Sequence, residues 1–519
     1  MNRFLLTSLW LFSTLFLVAQ NQVPQIDNLQ VTASASELTI NYDLTDPDNQ
    51  AVEIILRVSD NGATYDINTV GAIGDIGYPV SPGMGKSITW DFSNELSMSG
   101  QYRIMLVADD REVIDIQEIV DQVDSNRLRD DLSEIVGVRH RTANRAHLEK
   151  VRILLKQRFE DAGVETNTQR FSWNNFQAEN IIGARVGVSD EKTVYIVDGH
   201  YDSVSNSPGA DDNGSAVAGM LEVLRVLAPY NFKKTVKYIG FDLEEVGLVG
   251  SGFFVNMGGI AQNENIGGVF NLEMIGYYDN SPGSQTFPTG FSLLYPEAYN
   301  AVSSDGFRGN FITNVGIASH PEINEAFESA ADQYVPELKV ISILAPDQWL
   351  VLTPDLGRSD HAPFWLAGYP ALMITDGSNF RNPFYHTPND KLETINFTFM
   401  SQVIKATVAA LAEEAEITHS STAIADVNIV TSAQGLADRG VTLFPNPMVD
   451  RLSIDLDGCL SEKAEMQLIT ITGEVVLSRQ LDPSMDRIDI PTTGMAAGTY
   501  LLVIRSGGAA FHEKLILSR

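Results

Sequence analysis

Over some 300 residues, from about Glu112 to Glu416, short apolar runs alternate with amphipathic helical segments. The runs Thr193–Val197, Val236–Phe241, Gly268–Leu272 and Pro370–Thr375 are dominated by apolar residues instead of alternating apolar with polar. Strands of that kind are buried on both faces, as in a parallel sheet covered by helices. Between them, His147–Glu160 sets Leu148, Val151, Leu154, Leu155 and Phe159 at helical spacing, and Ser215–Leu227 and Phe397–Glu414 are further helical segments. The pattern predicts an α/β domain over 112–416: a doubly wound, mostly parallel sheet with helices on both faces.

The flanks read differently. Within 21–111, Leu38–Tyr42 and Val52–Val58 alternate apolar and polar residues, with turn signals at Asp46-Pro-Asp-Asn49 and Asp60-Asn-Gly62. Short strands at that spacing predict a small all-β sandwich of immunoglobulin or fibronectin type. Residues 417–440 are rich in Ser, Thr and Ala with weak periodicity and read as a linker. Alternation returns over 441–519, which predicts a second small β-sandwich. At the other end, Arg3 precedes an uncharged apolar stretch from Phe4 to Val18, with small or polar residues following. Residues 1–20 therefore read as a cleavable secretory signal peptide, and no later segment reaches the length needed to span a membrane.

Composition narrows the chemistry. With 35 Lys+Arg against 67 Asp+Glu the formal charge is −32, which repels phosphate backbones and anionic lipid and argues against nucleic acid as a partner. The single cysteine, Cys459, excludes an intrachain disulfide and a thiolate metal cluster. A metal in this chain would have to be held by His and carboxylate.

Such groups lie where an open α/β sheet binds ligands, beyond the carboxyl ends of its strands. Thr193–Val197 runs into Asp198-Gly-His200-Tyr-Asp202, Val236–Phe241 into Asp242-Leu-Glu244-Glu245, and Gly268–Leu272 ends on Glu273. The loop Gly209-Ala-Asp211-Asp212-Asn213-Gly precedes the helix at Ser215, and Tyr385-His386-Thr-Pro388 follows the fourth strand after a loop. Each fragment alone has an ordinary explanation as a solvated strand end or a helix cap. Their convergence on one sheet edge points to a metal site, because divalent cations offset the cost of crowded, buried carboxylates.

The strings His200-Tyr-Asp202-Ser203, Gly209-Ala-Asp-Asp-Asn213, Glu244-Glu245-x-Gly247-Leu-x-Gly-Ser251, Asn271-Leu-Glu273-Met, Ser359-Asp-His-x-x-Phe364 and Tyr385-His-Thr-Pro388 resemble those of the family-28 metallopeptidases over roughly residues 120–415. That family includes zinc aminopeptidases, with glutamate carboxypeptidases and glutaminyl cyclases as relatives. The resemblance implies two Zn2+ ions bridged by Asp212, with His200 and Glu273 completing one site and Glu245 and His386 the other. Glu273 stands where the family more often has Asp. The resemblance also implies that Glu244 is the general base for a metal-activated bridging water, that Asp202 fixes the His200 tautomer, and that Asp360 supports the catalytic carboxylate. The implied activity is a two-zinc exopeptidase acting on peptides with a free N-terminus. A one-zinc glutaminyl cyclase and a non-catalytic binding protein are the alternatives.

The tail resembles the sorting domain of cargo for the type IX secretion system of Bacteroidota, through Leu443-Phe-Pro-Asn-Pro447, Thr472-Gly-Glu474, Gly498–Val503 and Lys514–Arg519. This implies export through the periplasm to the medium or cell surface, with the secretion machinery as partner. A carbohydrate-binding module is the rival reading, but no Trp follows Trp365 to build its aromatic platform. Within 277–356, Phe287, Phe291, Tyr295, Phe307, Phe311 and Trp349 are candidates for a substrate pocket or for ordinary core.

Overall fold

The computed structural model describes residues 22–518 apart from 35, 63, 93–95, 97–98, 431–440, 457–462, 471–474 and 507–508. The expected signal segment 1–20, Cys459 and the Thr472–Glu474 string lie outside the described residues. An eight-stranded mixed sheet organises the centre of the chain, in the order Val340–Ala345, Ile312–Ile317, Ala371–Thr375, Asn265–Glu273, Asp190–His200, Lys234–Phe241, Phe176–Arg185 and Glu165–Trp173. Four of its seven pairings are parallel, and antiparallel pairings join the outer strands to this centre. The four central strands, from Ala371–Thr375 to Lys234–Phe241, therefore aim their carboxyl ends at one edge.

Why those strands lack polar alternation follows from the two cores they separate. Tyr195, Val197, Val236, Tyr238, Phe270 and Leu272 face a core shared with the helices Arg145–Asp161, Ala216–Leu227 and Phe397–Glu414. Their sequence neighbours Val194, Ile196, Ile239, Phe241 and Val269 face a second core, with Phe254, Phe364 and Trp365. Both side-chain directions of a strand are thus covered by helices, so the doubly wound expectation holds in its centre while the sheet as a whole is mixed.

The first flank is a β-sandwich. One sheet orders Gln25–Ala33, Glu37–Thr45, Gly83–Asp91 and Ile73–Gly74. The other orders Ser420–Val430, Ser99–Asp109, Val52–Ser59 and Gly77–Val80. Leu38, Ile40, Tyr42 and Leu44 point inward at every second position. The linker expectation for 417–440 needs correction over 420–430, while 431–440 lie outside the described residues. Ser420–Val430 pairs antiparallel with Ser99–Asp109 along eleven residues, and Val427 enters the sandwich core. Its periodicity was weak because the more buried positions Ser421, Ala423 and Ala425 are small, while Ile424 on the other face is exposed. Arg57 donates to Glu191 at 2.6 Å and His419 Nδ1 lies 2.6 Å from Asp110 Oδ2, joining sandwich and central domain.

The second flank contains a three-stranded sheet (Thr442–Phe444, Arg451–Asp455, Arg487–Pro491) and a four-stranded one (Val475–Leu481, Ala464–Thr470, Gly498–Ser506, Ala509–Leu517). They close over Leu452, Ile454, Met466, Leu468, Leu502 and Ile504. Among the described residues, no helix is long and apolar enough to cross a membrane.

Candidate active site

Each candidate residue is delivered by the end of a regular element. His200 and Glu273 are the last residues of their strands. After Lys234–Phe241, Leu243 adopts a left-handed conformation (φ 58°) and turns the chain into the single 3-10 turn Glu244–Val246. Asp212 sits in the irregular segment Ala210–Ser215 that opens the helix Ala216–Leu227. His386 itself has φ 57°, and Met274, which follows Glu273, has φ 51°. Left-handed non-glycine residues cost about 1 kcal/mol or more, and they persist where the surrounding structure over-determines them. Here three of them lie at or beside the candidate residues.

The side chains converge. His200 Nε2 lies 3.5 Å from Asp212 Oδ1 and 3.4 Å from Glu273 Oε2. His386 Nε2 lies 3.1 Å from Asp212 Oδ2 and 3.1 Å from Glu245 Oε2. Two compact donor groups result, His200–Asp212–Glu273 and Asp212–Glu245–His386, with Asp212 common to both. Glu244 belongs to neither group, but its Oε2 is 3.7 Å from His200 Nε2.

Asp202 lies beside His200, as expected, and also reaches the turn that follows the next strand. Its contact with His200 Nδ1 is long, 3.4 Å, whereas it accepts the backbone N–H of Glu244 at 3.0 Å and of Glu245 at 3.3 Å. It therefore holds the turn that presents both glutamates. Glu273 Oε2 accepts from Ser359 Oγ (2.8 Å) and Asn213 Nδ2 (3.2 Å), which fixes the longer side chain. Glu245 Oε1 accepts from Val204 N at 3.0 Å, and Asp390 accepts from the backbone of Asp211 and Asp212.

Residues 180–411 match peptidase family M28. Protein YfbL of Escherichia coli K12 is 33% identical over 273 residues, which is 50% of this chain and 77% of YfbL. The chain belongs to peptidase family M28. Aminopeptidase YwaD of Bacillus subtilis 168 is 30% identical over 247 residues, covering 47% of this chain and 46% of YwaD. A Leptosphaeria maculans protein named "Probable zinc metalloprotease" is 27% identical over 251 residues, covering 45% of this chain and 56% of that protein. The M28 chain thus spans about half the length of these last two relatives. Among solved structures, LapB of Legionella pneumophila superposes with a TM-score of 0.46 at 19% identity, covering 58% of this chain and 74% of LapB. Residues 442–518 match a secretion system C-terminal sorting domain.

Crowding of acids dominates the electrostatics of the M28 site. Burial, and then Glu273, Asp360 and Glu245, raise the Glu244 pKa well above the carboxylate range, although His200 opposes them. Burial and Asp212 push Glu245 up to about 7, and burial pushes Asp360 up to about 7. Burial alone would depress His386, but its hydrogen bonds to Asp212 and Glu245 lift it to about 10. Asp212 Oδ2 is buried with His386 Nε2 3.1 Å away but no hydrogen bond of good geometry, and neither buried Asp360 oxygen has one of good geometry either. Mutually repelling carboxylates, two imidazoles and a carboxylate that offers one oxygen to each group are a donor set that fits divalent cations of the zinc type.

Two residues of this M28 chain carry roles that their sequence context did not reveal. Tyr385 was visible within a motif but without a function. Its ring stacks on His386, with centroids 3.8 Å apart, and its hydroxyl accepts from Arg358 Nη2 at 3.1 Å. Arg139 is wholly buried and had no motif to mark it. His361 and His147 hydrogen-bond to the backbone carbonyls of Leu356 and Ile135, as packing residues do.

Beside Glu273 and Tyr385 opens a pocket of about 750 Å³ including its mouth. Phe287, Phe291, Phe311, Val315, Ile343 and Met373 line it, and the Asp355–Arg358 pair (3.8 Å) lies at its wall. Of the aromatic candidates, Trp349 belongs instead to the core, packed edge-on against Trp365.

Proposed function

We propose that the chain is a secreted two-zinc exopeptidase that removes N-terminal residues from peptides. The observation that carries this reading is the pair of donor groups sharing Asp212, with Glu244 beside them and outside both. His200, Asp212 and Glu273 would hold one ion, and Asp212, Glu245 and His386 the other. Zinc bound there supplies Lewis-acid polarisation of the scissile carbonyl and acidifies water.

The protein's own groups do the rest. Glu244 takes the proton of the attacking water and passes it to the leaving nitrogen, a role that suits a carboxylate beside both donor groups but outside them. Asp202 holds Glu244 and Glu245 in place through their backbone N–H groups. Because Arg358 donates to the Tyr385 oxygen, the phenolic proton is free to be donated towards the developing oxyanion. An N-terminal residue with its side chain in the apolar pocket brings its ammonium to the carboxylates of the site, which favours an exopeptidase over an endopeptidase.

Metal analysis of the purified full chain, together with turnover of aminoacyl-nitroanilides before and after chelation, tests the proposal. Two zinc ions per chain and chelator-sensitive hydrolysis are expected. One zinc with cyclisation of N-terminal glutaminyl peptides would replace this reading with a cyclase. In the same assay, leucyl and phenylalanyl substrates should exceed glutamyl ones by about 100-fold in kcat/KM, because the pocket wall is mostly apolar and Arg358, the cation in its described lining, already faces Asp355. Equal rates would remove the pocket from substrate selection.

The sorting domain supports passage by the type IX route to the cell surface or medium. Deleting Val441–Arg519 should leave an active enzyme trapped in the periplasm. Normal release of the truncated protein would overturn this route.

A further inference from the structure

We infer that Arg139 is a positioning residue that clamps the two metal-bearing loops together and thereby sets the affinity of the site for its ions. The inference rests on the metal-site reading above. Arg139 is 0% exposed, yet among the described residues every hydrogen bond its guanidinium donates ends on a backbone carbonyl. Nε reaches Tyr201 O (2.8 Å), Nη1 reaches Pro208 O (2.8 Å), Gly137 O (3.1 Å) and Ile135 O (3.3 Å), and Nη2 reaches Gly209 O (2.9 Å).

Those acceptors are placed tellingly. Tyr201 stands between His200 and Asp202, and Gly209 is three residues before Asp212. One planar fork of five N–H groups thus fixes the distance between the segment carrying His200 and the segment carrying Asp212. The backbone reinforces the clamp: Arg139 N donates to Ser203 Oγ and Ser203 N donates to Arg139 O, both at 2.9 Å, and Gly137 N donates to Pro208 O at 2.9 Å. Packing leaves no slack. Gly209 is left-handed (φ 61°), and a Cβ on it would stand 2.7 Å from Arg139 Nη2.

Charge gives a second argument. Burial works against the guanidinium, and its counter-charges are Asp390, Asp212, Asp202 and Glu245, which act through space. A purely structural tie between loops would need no buried cation facing that group of acids. Placed there, Arg139 offsets their mutual repulsion before metal arrives and keeps the donors near their bound separation.

The test is zinc affinity, measured on the full chain by competition with a chromophoric chelator, alongside thermal unfolding with and without zinc. Arg139→Lys keeps the charge but gathers its donors on one nitrogen in place of the three that meet Tyr201, Pro208 and Gly209, and Arg139→Gln removes the charge as well. We expect Arg139→Lys to weaken zinc binding about 10-fold and Arg139→Gln about 100-fold, the range seen when groups supporting metal ligands are lost. Metal-free Arg139→Lys should unfold below the parent temperature, because buried carbonyls lose their donors, so zinc affinity and not stability is the deciding readout. Variants that lose metal-free stability but bind zinc as the parent does would show a merely structural role and overturn the inference. If neither variant folds, Ser203→Ala loosens the same junction and decides by the same affinity criterion. A parent chain that binds no zinc in this titration would instead sink the metal-site reading itself.

Discussion

Glu244→Gln should retain two zinc ions and fold as the parent does, while kcat falls about 1,000-fold with little change in KM. Glutamine preserves the volume of the side chain and can still accept a hydrogen bond, but it cannot hold a proton in transit. General acid–base catalysis contributes about 100- to 10,000-fold, so the middle of that range is the expected loss. The metal content should survive because Glu244 lies outside both donor groups. Stability should survive too, since the substitution removes one of several crowded acids whose ionisation is disfavoured by burial. Metal analysis and steady-state kinetics on one preparation settle the matter. Parental kcat would show that another group carries the proton, and loss of metal would show that Glu244 is a ligand.

Asp212→Asn should have the opposite signature, with little bound metal and no measurable turnover. Asp212 is the only residue common to the two donor groups, so neutralising it weakens both at once, whereas changing Glu245 or Glu273 spares one group. In the metal-free protein the same substitution removes a charge from a site where Glu245 and Asp202 already repel one another. We therefore expect metal-free Asp212→Asn to be at least as stable as the metal-free parent. Added zinc, which stabilises the parent by about 2.7 kcal/mol at one hundred times its Kd, should leave the variant's unfolding temperature almost unmoved. A variant that retained one full equivalent of zinc with parental affinity would rule out a shared carboxylate.

Much of this site could be read in the chain because each candidate stands in a recognisable local context. His200, Glu245 and Glu273 close or follow apolar runs, and Asp212 precedes a helix, so sheet topology alone predicts their meeting. His386 is different. It lies eleven residues beyond the end of its strand, in a left-handed conformation that residue pattern does not forecast, and the motif resemblance singled it out. Arg139 was illegible for a physical reason: its partners are carbonyl oxygens, which every residue has, so no spacing of side chains marks them. The further contacts of Asp202, with the backbone N–H groups of Glu244 and Glu245, were not legible, since backbone N–H acceptance leaves no trace in composition. The strand Ser420–Val430 escaped because small inward residues erase the alternation that identifies strands.

That strand changes what kind of object the chain is. Asp109 and Ser420 are paired neighbours in one sheet, so the whole peptidase domain is an insertion between two adjacent strands of the first β-sandwich. Its two ends leave and re-enter the sandwich side by side, as insertions generally require. As the polypeptide emerges in N-to-C order, the strand Ser99–Asp109 exposes an unpaired backbone edge until about 310 further residues have followed it. Closure of the first domain therefore waits on synthesis of the second. A chain cut within the enzyme leaves an open β-edge behind, and only a chain made through Val430 can seal it.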